Sequence, residues 1–472
     1  MITLLPTDGS TVSCPLLDTN HRYFFRTMVT RNRIGLSEKH VALAWQQVVG
    51  RELTTVEGAR IVVIYPGMTN GDKGPDFRDV VLATESGLAQ GDIEVHSRSS
   101  DWYRHRHHCD AEYNAVILHV VMYHDCDSPI LLQSGKTVPV LCLAQFLQHQ
   151  LYLLPYQLPC FRIQDRLGKR TLAGLLNSAG EQRFEQKAMH FQAEILRLTH
   201  KEEAEQVLFR AMTRALGYAR NMKPFEELAD RTPLRFIGPR NGLAHKQALL
   251  LGTAGLLPSQ RLLHNLAADE QVLNLEQIWQ SVAGKPKTMK EHDWSLSHTY
   301  PNNSPVRRIV ALSYLLERYC EGGRPPRGGL LSSLLRLAEK ATPPKGHRLL
   351  QNALVVVGDE YWRNHFDFDV RSKTKTSALL GNGKAGEIAV NILLPFVFAL
   401  GRMAHKRRSM KQAMELYRSY PKLAENEITR HMAKQLCLEQ TAHFTACHQQ
   451  GLIHIFRNYC REGACSQCLL VV

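Results

Sequence analysis

Apolar residues in the first third of the chain fall in short β-branched runs, and beyond about Gly168 they recur at helical spacing. Glu38 to Val49 carries Val41, Leu43, Ala44, Val48 and Val49, which predicts a short amphipathic helix. Ile61 to Tyr65 is a strand stopped by Pro66-Gly67. Asp76–Thr84 and Asp92–Ser97 predict two more strands, with their turn around Gly87 and Gly91. A polar, His-rich connection, with room for a short helix, leads to an apolar strand at Ala115–Tyr123, interrupted by His119, and another follows at Val138–Leu143. Helices are predicted over Leu172–Leu198, Glu202–Leu216, His245–Leu257, Val306–Tyr319 and Ala385–His405. Breaks fall at Gly284–Lys287, Gly322–Gly329 and Thr342–Gly346. The expected fold class is α+β: a mixed-sheet domain over 1–165, a helical region over 166–440 with any division near 284–291 or 320–330, and a Cys-rich tail over 441–472.

Size and charge narrow the picture. At 472 residues the chain is too long for a single core, and 44% hydrophobic with 22% charged residues is ordinary globular composition. A formal net charge of +14 favours polyanionic partners such as nucleic acid. The first residues, Met1 to Asp8, carry no basic and apolar export pattern, so a cytoplasmic location is expected. The longest apolar run, Ile388 to Leu400, is broken by Asn391 and Pro395 and is expected to be too short to span a bilayer, so no membrane is expected among the partners. In a reducing compartment the eleven cysteines read as thiols, and clustered ones as metal ligands.

The candidate chemistry starts with Gly74-Pro75-Asp76-Phe77, followed by Asp92-Ile-Glu94-Val-His96. Strand alternation puts Asp92, Glu94 and His96 on one face and turns Ile93 and Val95 to the core. An Asp entering one strand and a Glu on its antiparallel neighbour can share magnesium or manganese, which prefer oxygen ligands. The plainer alternative is an Asp that ties down the Gly-Pro turn and a Glu on a solvated face. Next comes Ser99-Ser-Asp-Trp-Tyr-Arg-His-Arg-His-His-Cys-Asp110. Here Arg98, Asp101, Arg104, His105, His107 and, further on, His119 either line the substrate cleft or bind a transition metal such as zinc. His119, inside an apolar strand, reads most simply as a hydrogen-bonded core residue.

Pro75-Asp76 and Glu94-Val95-His96, in this order of elements, resemble the PD-(D/E)xK phosphodiesterase superfamily. The resemblance implies a nuclease-like sheet domain with Asp76 and Glu94 as metal ligands. His96 stands where that superfamily has its lysine; a neutral imidazole can orient a water, and Lys73 is the nearest candidate for the missing charge. Over nearly the whole chain the sequence is similar to a bacterial family of unknown function, number 2851. That similarity rests on Gly67-Met-Thr-Asn-Gly-Asp-Lys-Gly-Pro-Asp-Phe77, Gly91–His96, Ser100–His105, Val116–Val121, Ala248–Leu257, Tyr361-Trp362 with His365, Glu387–Ile392 and Tyr459-Cys460.

The tail carries Cys460-x4-Cys465-x2-Cys468, a spacing suited to one zinc ion or a [4Fe–4S] cluster that needs a fourth ligand. Cys447, His448, His454 and the distant Cys160 are candidates, and the nuclease resemblance implies Cys160. The expected function is a metal-dependent phosphodiester hydrolase acting on nucleic acid. The rival is a catalytically inactive module that keeps the nuclease-like fold and binds nucleic acid or a protein partner.

Overall fold

The computed structural model describes residues 37–149, 158–197, 203–237, 242–261, 269–296, 303–320, 329–368, 370–371, 378–438 and 443–471. The chain is α+β and divides into two compact units. The first comprises Met1–Leu175, Glu425–Thr441 and Leu452–Val472; the second comprises Leu176–Ala424 and Ala442–Gly451. The C-terminal cysteines therefore belong to the sheet unit, where composition alone had set 441–472 apart as a tail.

The first unit opens with helix α1, Glu38–Gln46. Its strands are β1 (Glu52–Thr54), β2 (Arg60–Tyr65), β3 (Met68–Thr69), β4 (Phe77–Thr84), β5 (Gly87–Arg98), β6 (Val116–Tyr123), β7 (Ile130–Leu131), β8 (Thr137–Val138) and β9 (Val140–Cys142). The seven-stranded sheet runs β1-β2-β4-β5-β6-β9, with β3 also paired to β4. Pairs from β1 to β5 are antiparallel, whereas β6 lies parallel to both β5 and β9. Ile93 and Val95 of β5 and Leu118, Val120 and Met122 of β6 join a core with Val41, Ala44 and Trp45 of α1. A smaller cluster gathers Trp102, Tyr113, Val121, Val138, Val140 and Cys142.

The turn between β4 and β5 is not at Gly87 and Gly91. Thr84 pairs with Gly87, so Glu85 and Ser86 make the turn and both glycines lie within β5. Gly91 is small for a packing reason: a Cβ there would lie 2.3 Å from Ile117 Cγ2 and 2.6 Å from the Ala115 carbonyl oxygen. Polar residues around a glycine looked like a turn, but a close strand crossing required the glycine.

The second unit is helical. Its helices include Glu203–Leu216, Tyr218–Arg231, Leu243–Ala254, Glu270–Ser281, Pro305–Cys320, Leu330–Lys340 and Arg407–Ser419. Gly252 lets the Leu243–Ala254 helix meet Trp279, since a Cβ would stand 2.2 Å from Trp279 Cδ2. The expected breaks at Gly284–Lys287 and Thr342–Gly346 are interhelical segments, and most of Gly322–Gly329 lies outside the described residues.

The apolar run at Ile388–Leu400 lies in the helical stretch Asn382–Met403, close to the expected Ala385–His405. Asn382–Met403 has 22 residues and contains an 18-residue window of mean hydropathy 1.5, enough by length and composition to cross a membrane, and 72% of that window is buried within the protein. Pro395 does not end it. A π turn over Ala389–Leu393 precedes the proline, which then occupies the first turn of Leu394–Met403, where a missing N–H costs least.

Candidate functional site

Strand alternation on β5 sends Ile93 and Val95 to the α1 core and leaves Glu94 and His96 on the other face. All four are buried. The chain then turns at Ser99 and Ser100, which are fixed by Asp125. Ser99 Oγ donates to Asp125 Oδ1 over 3.1 Å, and the Ser100 hydroxyl donates to Oδ2 over 3.0 Å. These serines hold the turn. Helix α2, Asp101–Arg104, follows. Its Trp102 is fully buried and donates its indole N–H to the Leu131 carbonyl over 3.0 Å. Arg106 sits in the left-handed region at φ 63°, between α2 and the single turn His107–Cys109. His105 and His107 lie on either side of that reversal, and both reach His96.

Four imidazoles result. His96 Nδ1 lies 2.8 Å from His119 Nε2. His96 Nε2 lies 3.0 Å from His105 Nδ1 and 3.3 Å from His107 Nε2. Glu94 Oε1 completes the group, 3.5 Å from His96 Nε2 and 3.3 Å from His107 Nε2. Burial, reinforced by neighbouring imidazoles, holds His96 down at about 2, His107 at about 4 and His119 at about 3. The three rings are neutral at physiological pH and can offer lone pairs.

Asp76 enters β4 beside Glu94. The Asp76 backbone N–H donates to Glu94 Oε2 over 3.1 Å, and the Val95 N–H donates to Asp76 Oδ2 over 3.0 Å. Burial, and next the Asp76 charge, push Glu94 up to about 9. Asp76 is raised as well, by burial first, with a smaller contribution from Glu38. Glu38 also raises Glu94, and sequence reading missed it. It lies 38 positions before Asp76, in the first turn of α1, and no linear motif joins the two. With Glu94 protonated and the rings neutral, its contacts with His96 and His107 are not ion pairs until a cation is present. The Gly-Pro turn is tied by Asn70, whose side-chain amide donates to the Lys73 and Pro75 carbonyls and whose backbone N–H donates to the Asp76 carbonyl, while the Asp76 carboxylate accepts from Val95.

Other expected site residues stand apart from this group. Lys73 is exposed and is held through its carbonyl, which accepts from Arg78 Nη2 over 2.9 Å; its ammonium makes no ion pair among the described residues. Arg98 reaches Asp125 at 3.5 Å, and Arg104 reaches the buried Asp101 at 2.7 Å. Both guanidiniums are thus paired with local acids. Asp92 accepts from the Asp79 N–H over 3.2 Å.

Cys160, Cys460, Cys465 and Cys468 come together within the first unit. Gln435 Nε2 donates to both Cys160 Sγ and Cys460 Sγ, at 3.4 and 3.5 Å. Burial and then the Cys160 thiol raise Cys460 far above its ordinary value, with smaller contributions from Cys468 and Cys465. Cys468 is pushed up to about 11, mainly by burial. Burial is the first cause opposing ionisation in all four thiols, and neighbouring thiols add to it for Cys460, Cys465 and Cys468. Cys447 belongs to the second unit, with its Sγ 3.6 Å from the Asn177 carbonyl. Gln435 carried no signal in the sequence.

The family model described as "Protein of unknown function (DUF2851)" matches residues 38–427. The chain belongs to that family. No curated protein and no solved structure matches it.

Proposed function

We propose that the first unit is a metal-dependent phosphodiester hydrolase acting on DNA, with magnesium or manganese held by Asp76 and Glu94. The observation that carries this reading is the placement of these two acids on neighbouring antiparallel strands, each bonded to the backbone of the other's strand. A hard cation there would neutralise charge developing on the phosphate and provide a bound water. His96 Nε2, kept neutral, faces Glu94 and can accept a proton from that water. Trp102 and the buried floor of β5 and β6 limit water from behind. The net charge of +14 supports attraction to the polyanion. Cys160, Cys460, Cys465 and Cys468 would hold zinc or a [4Fe–4S] cluster in a structural role.

Cleavage of single- and double-stranded DNA with magnesium or manganese tests the reading, alongside binding measured at several salt concentrations. Wild type should cleave, Asp76→Ala and Glu94→Gln should fall to background, and binding should weaken steeply with salt. Salt-sensitive binding without turnover in either metal would instead assign the chain to the rival, a non-catalytic binding module. The absence of a lysine from the acidic pair favours that rival.

A further inference from the structure

We infer that His96 Nε2, His105 Nδ1 and His107 Nε2 form a seat for a single transition-metal ion of the zinc class, with Glu94 Oε1 beside His96 and His107. The inference rests on these side chains and not on the hydrolase reading. Zinc bonds of about 2.0–2.1 Å to nitrogen and oxygen imply ligand-to-ligand edges of about 3.3–3.4 Å in a tetrahedron. The structure gives 3.0 Å for His96–His105, 3.3 Å for His96–His107, 3.5 Å for Glu94–His96 and 3.3 Å for Glu94–His107. The three ring nitrogens all lie within 4.8 Å of one another.

Hydrogen bonds can join these atoms only in pairs, with His105 Nδ1–H donating to His96 Nε2 and His107 Nε2–H to Glu94 Oε1 in one set of tautomers. An ion among the three ring nitrogens would engage all of them at once. The set is also supported from behind, as metal-binding imidazoles generally are. His96 Nδ1 can donate to His119 Nε2 at 2.8 Å, which leaves Nε2 with its lone pair directed at the seat. Glu94 is held by the Asp76 N–H on its other oxygen. Tyr113 covers His107, with ring centroids 4.0 Å apart. His105 is exposed and provides the way in from solvent. Three imidazole nitrogens select zinc, cobalt or a similar ion over magnesium. A seated ion would take His96 Nε2 and Glu94 Oε1 out of any cleavage chemistry.

The test strips the full-length protein of metal and titrates it with cobalt(II) alone. Visible absorption reports four- or five-coordinate cobalt, and near-ultraviolet thiolate charge transfer reports the cysteines separately. Wild type and Cys465→Ser should both show a site with nitrogen and oxygen ligands and no thiolate band attached to it. His105→Ala, a change at an exposed residue, should weaken that site at least tenfold, and His107→Ala should abolish it, with circular dichroism unchanged in both. Unaltered cobalt affinity in folded His105→Ala and His107→Ala would overturn the seat. Because the readout is binding, a lack of DNA cleavage leaves this inference untouched, and loss of the seat leaves the acidic pair to be judged by turnover.

Discussion

The candidate sites of the first unit and the ion pairs of the second bury polar side chains in opposite ways. In the second unit, Lys246, 2% exposed, pairs with Glu317, and Arg261 pairs with Asp367 at 2.9 Å. Arg307, with Arg308 as a like-charged neighbour, donates to the carbonyls of Trp362 and His365. At the first unit's candidate sites, buried groups meet their own kind: Glu94 beside Asp76, His96 among three imidazoles, Cys460 among three thiols. Complementary pairs neutralise themselves and need nothing further to hold a helix in place. Like groups held together in a dry interior disfavour their own charged forms, and they persist only where the surrounding fold imposes them. What a buried residue faces therefore separates site from scaffold better than burial does.

The cysteine group offers the largest test of that contrast. If the thiols exist to hold an ion, binding contributes on the order of 10 kcal/mol to the fold around it. Cys160→Ser and Cys465→Ser should both lose the metal, as measured by elemental analysis, whereas Cys447→Ser should keep it. Calorimetry should show the sheet unit's transition collapsing in the first two while the helical unit's remains. Metal retained in Cys160→Ser but lost in Cys447→Ser would break the comparison, because a thiol from the scaffold unit would then be a ligand.

A second test sets a complementary pair against a like pair. Lys246→Met leaves the Glu317 carboxylate, about a quarter exposed, without its partner, and should cost roughly 3 kcal/mol. Replacing both, Lys246→Met with Glu317→Leu, should return stability to within about 1 kcal/mol of wild type. Glu94→Gln should do the reverse of the single lysine change. It removes an acid that the fold disfavours and should stabilise the metal-free protein by on the order of 1–2 kcal/mol. Thermal midpoints read both, at about 2–4 °C per kcal/mol for units of this size. A destabilised metal-free Glu94→Gln would place Glu94 with the scaffold.

Much of the sheet unit was legible because alternation is a local signal. Ile93 and Val95 against Glu94 and His96 could be assigned to opposite faces from their spacing alone. The strands β2, β4 and β6 fall close to their expected ranges, whereas β5 begins five residues before its expected start at Asp92. The short strands β1, β3 and β7 escaped, since two or three residues carry no periodicity. The histidines were visible as a dense stretch, but their convergence depends on the left-handed Arg106 and on His119 arriving from a parallel strand, and neither has a linear signature. Lys73 was chosen for its nearness in sequence to Asp76, and the turn leaves it exposed. Glu38 and Gln435 come from helices far along the chain, brought in by tertiary packing alone.

The last test asks whether the first unit's hidden imidazoles cost stability even away from a proposed ligand. His431 lies in the sheet unit with Nε2 against the Tyr65 hydroxyl and 3.0 Å from Gln435 Oε1, and its ring is 5.8 Å from that of Phe456. Burial lowers it to about 4; the Gln435 contact works against that shift, and Lys434 adds to it. The folded state therefore binds fewer protons than the unfolded chain between pH 6.5 and about 4. The associated stability is intact above pH 6.5 and is lost as the pH falls through this window. Between pH 7 and pH 5 the loss attributable to this ring should be about 2 kcal/mol. His431→Gln, which has no proton to gain, should be less acid-sensitive than wild type by that amount in metal-loaded protein, where the other histidines are common to both. Equal acid sensitivity in the two proteins would mean that this imidazole takes its proton without disturbing the fold, and that the like-against-like burden of the first unit is confined to its metal seats.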